Sequence, residues 1–124
     1  MFESLSFKAM ESSLSALWLK QNVIIHNIAN LETPGFKAKQ VSFNGLLEEA
    51  EGKQAGGRQG QGRYAFKATI STSTNTEVRP DGNNVDFDKE NTELMNTYFQ
   101  TLALYQKIGG QITNARYVIK QAFK

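Results

Sequence analysis

Residues 29–37, Ala29-Asn30-Leu31-Glu32-Thr33-Pro34-Gly35-Phe36-Lys37, decide the fold, because they end a long amphipathic helix and turn the chain. Pro34 has no backbone N–H and biases Thr33 away from helical geometry, while Gly35 tolerates positive φ. Upstream, Phe7, Met10, Leu14, Leu17, Ile24, Ile28 and Leu31 keep a heptad stripe. Only Gln21 interrupts the alternating spacing, so seven of eight stripe positions are apolar. A first helix is expected over residues 3–31, about 43 Å long at 1.5 Å per residue.

Beyond the turn, Lys37 to Val41 reads as extended, and Ser42 is placed to cap a short helix carrying Phe43, Leu46, Leu47 and Ala50. Gly52 stops it. Residues 52–63 hold five glycines and no large apolar side chain, the composition of a flexible loop. Tyr64, Phe66, Ala68 and Ile70 then alternate with Ala65, Lys67 and Thr69, the period of a half-buried strand. Residues 71–77 are Ser/Thr-rich and read as extended, and Pro80-Asp81-Gly82-Asn83 reads as a turn.

The last helix is expected to start at Asp88 as N-cap, with Glu90 in its first turn, and to run to about Ala122. Its stripe is Met95, Tyr98, Leu102, Tyr105, Ile108, Ile112, Ala115, Ile119 and Ala122. Two consecutive steps of three around Tyr105 shift the phase, and Gly109-Gly110 follows directly. Each glycine costs about 1 kcal/mol relative to alanine in a helix. The pair marks a close backbone approach, a bend, or a weak spot without purpose.

The fold class is therefore mainly α. Long N- and C-terminal helices pair as a coiled coil, with a short helix, a glycine-rich loop and an extended or β segment between them. Residues 1–33 and 88–124 make the helical coiled-coil domain, and residues 34–87 make an irregular or β insert carrying the loop at 52–63.

Composition excludes several chemistries. The 124-residue chain has no cysteine, so thiolate zinc, disulfides and cysteine catalysis are out of reach. His26 is the single histidine, placed on the outer side of the first helix, so a histidine metal cluster cannot form. The spacing from Gly52 to Gly57 imitates a phosphate loop, but Arg58-Gln59 stands where Lys and Ser/Thr are required. Gly60-x-Gly62-x-x-Ala65 has neither the preceding strand nor the following helix of a dinucleotide site.

Asp81-x-Asn83 opens like a calcium loop, yet Val85, Asp86 and Thr92 occupy positions that need a ligand, a glycine and a bidentate glutamate. Ser12 and Ser13 have no base at a useful spacing. No catalytic, metal or cofactor site is expected, and the chain does not read as an enzyme.

Net charge is +2, too little to imply nucleic acid. Lys37, Lys39, Arg58, Arg63 and Lys67 with Tyr64 and Phe66 have the composition of a single-strand binder, but Glu48, Glu49 and Glu51 share the stretch. After Glu93 the chain has no acid, only Lys107, Arg116, Lys120 and Lys124. Acids at the start and cations at the end of one helix suit its macrodipole. No apolar run is long enough for a membrane span, and no cleavable secretory signal is visible.

The first helix has more apolar surface than one partner covers, since Trp18, Leu19, Val23 and Ile25 form a face beside the stripe. A lone helix pair is marginal in water, so further partners are needed. Head-to-tail packing that does not close into a ring would give a helical tube. A small coiled-coil adaptor or secretion chaperone is the alternative from another class.

Two motifs carry a resemblance. The Ala-Asn-x-x-Thr-Pro-Gly-Phe-Lys run behind an N-terminal amphipathic helix is similar to a signature of bacterial flagellar rod and hook proteins. Gly82-Asn83-Asn84-Val85-Asp86-Phe87-Asp88-Lys89-Glu90 resembles the segment opening their last helix. The likeness covers residues 1–43 and 80–124, and the length with the segment from Asn96 to Phe123 lies nearest the proximal rod members.

The resemblance implies a structural subunit in a homo-oligomeric helical tube of the basal body, transmitting torque and conducting exported subunits. It implies a periplasmic rod position and export without a cleaved signal. The implied partners are other rod proteins, the rod-to-ring adaptor, the membrane ring and the export gate, with no nucleic acid and no small-molecule substrate. It implies turn roles for Asn30, Thr33, Pro34, Gly35 and Phe36, with Phe36 anchored in an apolar pocket. Asn83, Asn84, Val85 and Asp86 would position the last helix. The implied assembly seam runs through the stripes already named.

Overall fold

A computed structural model describes residues 5–43, 68–74 and 79–124. Helix α1 spans Leu5–Ala29, strand β1 Lys39–Ser42, strand β2 Thr69–Thr72 and helix α2 Phe87–Ala122. The expected short helix after Ser42, the glycine-rich loop 52–63 and the alternation from Tyr64 to Lys67 lie outside the described residues.

Helix α1 contains neither proline nor glycine, and its serines are reconciled with helical geometry locally. Ser13 donates to the Ala9 carbonyl at 2.8 Å and Ser15 to the Glu11 carbonyl at 3.2 Å. The helix closes two residues before the expected Leu31. Asn30 and Leu31 tighten into short turns, with Leu31 N donating to Ile28 O at 3.1 Å. Gly35 then takes φ +72°.

The 36-residue α2 begins earlier than the sequence suggests. Asp86, not Asp88, is the N-cap: its φ of −102° and ψ of 110° are extended, and its carboxylate accepts from Asp88 N and Lys89 N. Asp86 wins because Val85 just before it is buried and fixed, with its amide on Asn83 Oδ1 at 2.8 Å. Helix α2 runs unbroken through Gly109 and Gly110, where an added Cβ would meet nothing within 4 Å.

Strands β1 and β2 pair antiparallel, with Lys39 opposite Thr72 and Ser42 opposite Thr69. Ser73 N extends the ladder to Ala38 O at 2.8 Å. Strand β2 meets the strand expected over 64–70 only at Thr69 and Ile70 and continues into the Ser/Thr stretch. Its four residues are all exposed, so Ile70 is not on the buried face that the alternation implied, while Tyr64 and Phe66 lie outside the described residues. Ser42 ends β1, and the helix it is placed to cap lies outside the described residues.

The two helices lie antiparallel. Lys20 pairs with Glu93 at 2.8 Å, and Gln111 meets Ser6 at 3.2 Å toward the other end. On α1, Ile24 is buried and Phe7, Met10, Leu14, Leu17 and Ile28 are half-buried, as is Leu31 in the turn that follows. The expected second face divides: Val23 is buried, Leu19 half-buried, and Trp18 and Ile25 are exposed.

Helix α2 meets α1 through a stripe other than the expected one. Glu90 and Thr97 are buried and Leu94, Thr101, Leu104 and Ile108 half-buried, whereas Met95, Tyr98, Leu102 and Tyr105 are exposed. One residue is a rotation of about 100° on a helix. Reading by apolarity misses the inward stripe because two members are threonines. Their hydroxyls are spent on helix carbonyls, Thr97 on Glu93 O at 2.7 Å and Thr101 on Thr97 O at 2.8 Å. From Ile108 the stripes coincide, through half-buried Ile112 and Ala115, and they part again at exposed Ile119. The phase shift after Tyr105 marks that convergence.

Candidate functional site

Few apolar side chains are buried among the described residues: Ala16, Val23, Ile24, Ala38 and Val85. The largest fully buried side chains are Asn27, Asn83 and Thr97. Two of these belong to a polar clasp where the end of α1, the turn, β1 and the start of α2 converge.

Asn83 is its centre. The turn that follows α1 carries carbonyls that converge on its side chain. Here Asn83 Nδ2 donates to the carbonyls of Asn30 at 2.9 Å, Leu31 at 3.0 Å and Thr33 at 2.9 Å. Its Oδ1 accepts from Val85 N, so one side chain closes α1 and aims the chain into α2. The Arg79 guanidinium also donates to Leu31 O, placing a cation at the negative pole of α1.

Asn84 works beside it. Its Oδ1 accepts from Ala38 N at 2.6 Å and its Nδ2 donates to Ser73 O at 2.9 Å. Asn27 completes the clasp as a false strand: Nδ2 donates to Lys39 O at 2.8 Å and Oδ1 accepts from Lys39 N at 2.9 Å. A two-stranded ribbon is marginal alone. Asn27 fastens its edge to α1.

The turn residues have distinct tasks. Asn30 Nδ2 donates to His26 O at 2.8 Å, and its Oδ1 accepts from Thr33 Oγ1 at 3.1 Å. Gly35 N donates to Asp81 O at 2.8 Å. Gly82, at φ +85°, lies so close that a Cβ there would stand 3.3 Å from Gly35 Cα. Lys37 Nζ donates to Gly82 O at 2.6 Å. Pro34 is exposed and supplies only its missing N–H and fixed φ. Phe36 is half-buried, and its ring meets His26 edge-on, centroids 5.5 Å apart.

The two sequence motifs are thus two halves of one site. Sequence reasoning missed Asn27, Lys37, Arg79, Gly82 and Glu90 as members. Asn27 left the clearest signal, a polar residue three positions beyond Ile24 within an apolar helix.

Glu90 is the one buried charged side chain among the described residues. Burial pushes its carboxyl above the usual carboxylate range; a hydrogen bond from Asn27 and the charge of Lys89 oppose this, and Glu93 and Asp86 reinforce it. It borders a cavity of about 260 Å³ with Lys20, Lys39, Lys89 and Glu93. A second, more apolar groove of about 350 Å³ lies between Ala16 and Leu17 on α1, Ala103 and Leu104 on α2, and Phe43.

Among the described residues there is no group of three side chains able to hold a metal ion, and no helix long and apolar enough to cross a membrane. Fold and clasp together define a structural helical hairpin, whose polar interior fixes the direction of two helices.

Comparison with known proteins makes the class specific. The chain is 36% identical over 115 residues to the flagellar basal body rod protein FlgB of Bacillus subtilis strain 168, covering 89% of each chain. It is 32% identical to the protein of that name from Aeromonas hydrophila over 97 residues, 73% of this chain and 74% of that one. The Escherichia coli K12 protein is 24% identical over 136 residues, 93% of each. No family model matches the chain. The chain belongs to the FlgB family of flagellar basal body rod proteins. Membership sets aside the adaptor or chaperone alternative.

Proposed function

We propose that this protein is a subunit of the proximal rod, polymerising through its terminal helices into a tube that transmits torque and conducts exported subunits. The observation that supports this reading is the apolar face of α2. Met95, Tyr98, Phe99, Leu102 and Tyr105 are each at least 40% exposed, in a chain with few buried apolar residues. Such a continuous wet apolar face marks an interaction surface. Of the expected seam, Tyr98, Leu102, Tyr105 and Ile119 are exposed for contact with neighbours, while Ile108, Ile112 and the α1 stripe from Phe7 to Leu31 are half-buried or buried within the single chain.

Residues 1–33 with 88–124 make the polymerising part, and residues 34–87 make the insert that holds the clasp. The partners are copies of this chain, other rod proteins, the rod-to-ring adaptor, the membrane ring and the export gate. The place of work is the periplasmic rod, reached by export without signal cleavage. The test is basal-body isolation from a strain carrying an epitope-tagged chain with Leu102→Asp. The variant should be exported but missing from basal bodies, and normal incorporation would overturn the seam.

A further inference from the structure

Sulfur occurs in this chain only as methionine, at Met1, Met10 and Met95, because there is no cysteine. Met1 lies outside the described residues, and the other two stand in opposite settings. Met10 is half-buried on the α1 stripe, whereas Met95 is 49% exposed on α2. Residues three, four and seven positions apart share a helix face, so Met95 neighbours Tyr98, Phe99 and Leu102. The Tyr98 and Phe99 rings meet edge-on there, centroids 5.9 Å apart. Met95 thus opens the wet apolar face of α2.

Of the side chains on that face, only this one changes polarity in a single mild oxidation. With a peroxide, a lone pair of the thioether sulfur takes one peroxide oxygen. The S–O bond forms as the O–O bond breaks, sulfur gives up two electrons, and the remaining oxygen leaves with both protons as water. The product, methionine sulfoxide, is polar where the thioether was apolar. No thiol in the chain competes for the oxidant. The more exposed of the two described thioethers reacts first.

Resting on the reading of that face as the surface through which the chain polymerises, we propose that Met95 is an oxidation site that controls entry into the rod. The thioether form joins, the sulfoxide form does not, and a methionine sulfoxide reductase restores the competent form. A sulfoxide oxygen covered by an apolar neighbour is an acceptor without a donor. In the free hairpin the same oxygen stays in water, so oxidation acts on assembly and leaves the fold intact. A neighbour that covers Met95 also shields it, and rods already built are spared.

The test is a competition inside one cell. The full-length parent and Met95→Leu, carrying different epitope tags, are expressed together, and a pulse of hydrogen peroxide is given as new basal bodies form. Without peroxide the two should enter equally. After the pulse the ratio of parent to Met95→Leu in new basal bodies should fall about tenfold relative to the unassembled pool, where mass spectrometry should find Met95 sulfoxide. Met95→Gln sets a polar group on the same unbranched stem. It should enter about tenfold less than the parent without any oxidant, at unchanged helical content by circular dichroism.

A ratio that peroxide does not move, although Met95 in the pool is oxidised, overturns the proposal. So does Met95→Gln entering as the parent does. Met95 remaining a thioether at a dose that oxidises Met10 overturns it too, since the exposed sulfur is then not the target. In these cases a parent chain found in basal bodies leaves the rod reading standing. If the parent is missing from basal bodies without peroxide, the rod reading fails and this site fails with it.

Discussion

The side-chain amide of Asn83 donates to the carbonyl of Leu31 at 3.0 Å, across 52 residues of chain. Through this bond the residue that directs α2 also terminates α1, so the crossing of the two helices is fixed by hydrogen-bond geometry more than by a packed core. Hydrogen bonds are directional and hydrophobic contact is not. A chain with few buried apolar side chains among its described residues gains definition this way.

Asn83→Ala should leave the Val85 amide without its acceptor and take one donor from each of the Asn30, Leu31 and Thr33 carbonyls, which keep Thr33 N, the Arg79 guanidinium and Phe36 N. Each unsatisfied buried group costs about 1–3 kcal/mol where water cannot replace it. Asn83→Asp should be worse despite its matching shape, because a carboxylate offers no donor and sets negative charge against the α1 carbonyls. Urea unfolding of both variants in trimethylamine N-oxide, which strengthens burial, measures this. Equal stability of Asn83→Asp and the parent chain would remove the clasp from the account.

Gly35 and Gly82 should separate two kinds of constraint. An added Cβ at Gly35 meets nothing within 4 Å, so only its φ of +72° resists substitution. Asn tolerates that region and Val does not. Gly35→Asn should retain motility where Gly35→Val loses it, a strain of about 1–3 kcal/mol. At Gly82 the contact to Gly35 Cα adds to φ, so Gly82→Asn should fail as Gly82→Val does. Motility at matched expression distinguishes the four.

Glu90 gives a pH dependence of definite sign. Its carboxyl is pushed up in the folded chain, chiefly by burial. A raised folded value means that its contribution to stability is fully present below the unfolded value of about 4.3 and is lost as pH rises through the folded value. Glu90→Gln keeps an acceptor for Asn27 and carries no charge. The parent chain should lose stability relative to Glu90→Gln between pH 4 and neutrality. Parallel unfolding midpoints for the two across that range would contradict the buried carboxylate.

Much of the frame was legible from side-chain chemistry. The apolar heptad from Phe7 to Leu31, Pro34-Gly35 and the late basic residues located two long helices and a sharp turn, because periodicity and backbone restriction are local properties. The clasp was not legible as one object. Asn30 and Asn83 were both singled out, but nothing local tells an amide which carbonyl it will meet fifty residues away. The N-cap moved from Asp88 to Asp86 for the same reason, since the Val85 amide is held by Asn83. The inward stripe of α2 was misplaced because Thr97 and Thr101 look polar until their hydroxyls are paired within the helix.

Ile24→Asp and Leu102→Asp should differ in kind. Ile24 is buried, and an unpaired charge there costs several kcal/mol, so the hairpin itself should not form. Leu102 is 40% exposed in the single chain, so Leu102→Asp should leave helical content unchanged and act only on assembly. Circular dichroism beside basal-body incorporation reads both. Loss of helicity in both variants would mean that Leu102 supports the hairpin.

Side-chain-resolution density for the assembled rod would show both the clasp and the outward face of α2 at once. The expected result is Asn83 still seated on the Leu31 carbonyl, with Tyr98, Leu102 and Tyr105 covered by neighbouring subunits. An assembled rod in which those three side chains face solvent, or in which the clasp has opened and α2 has turned them onto its own α1, would contradict it.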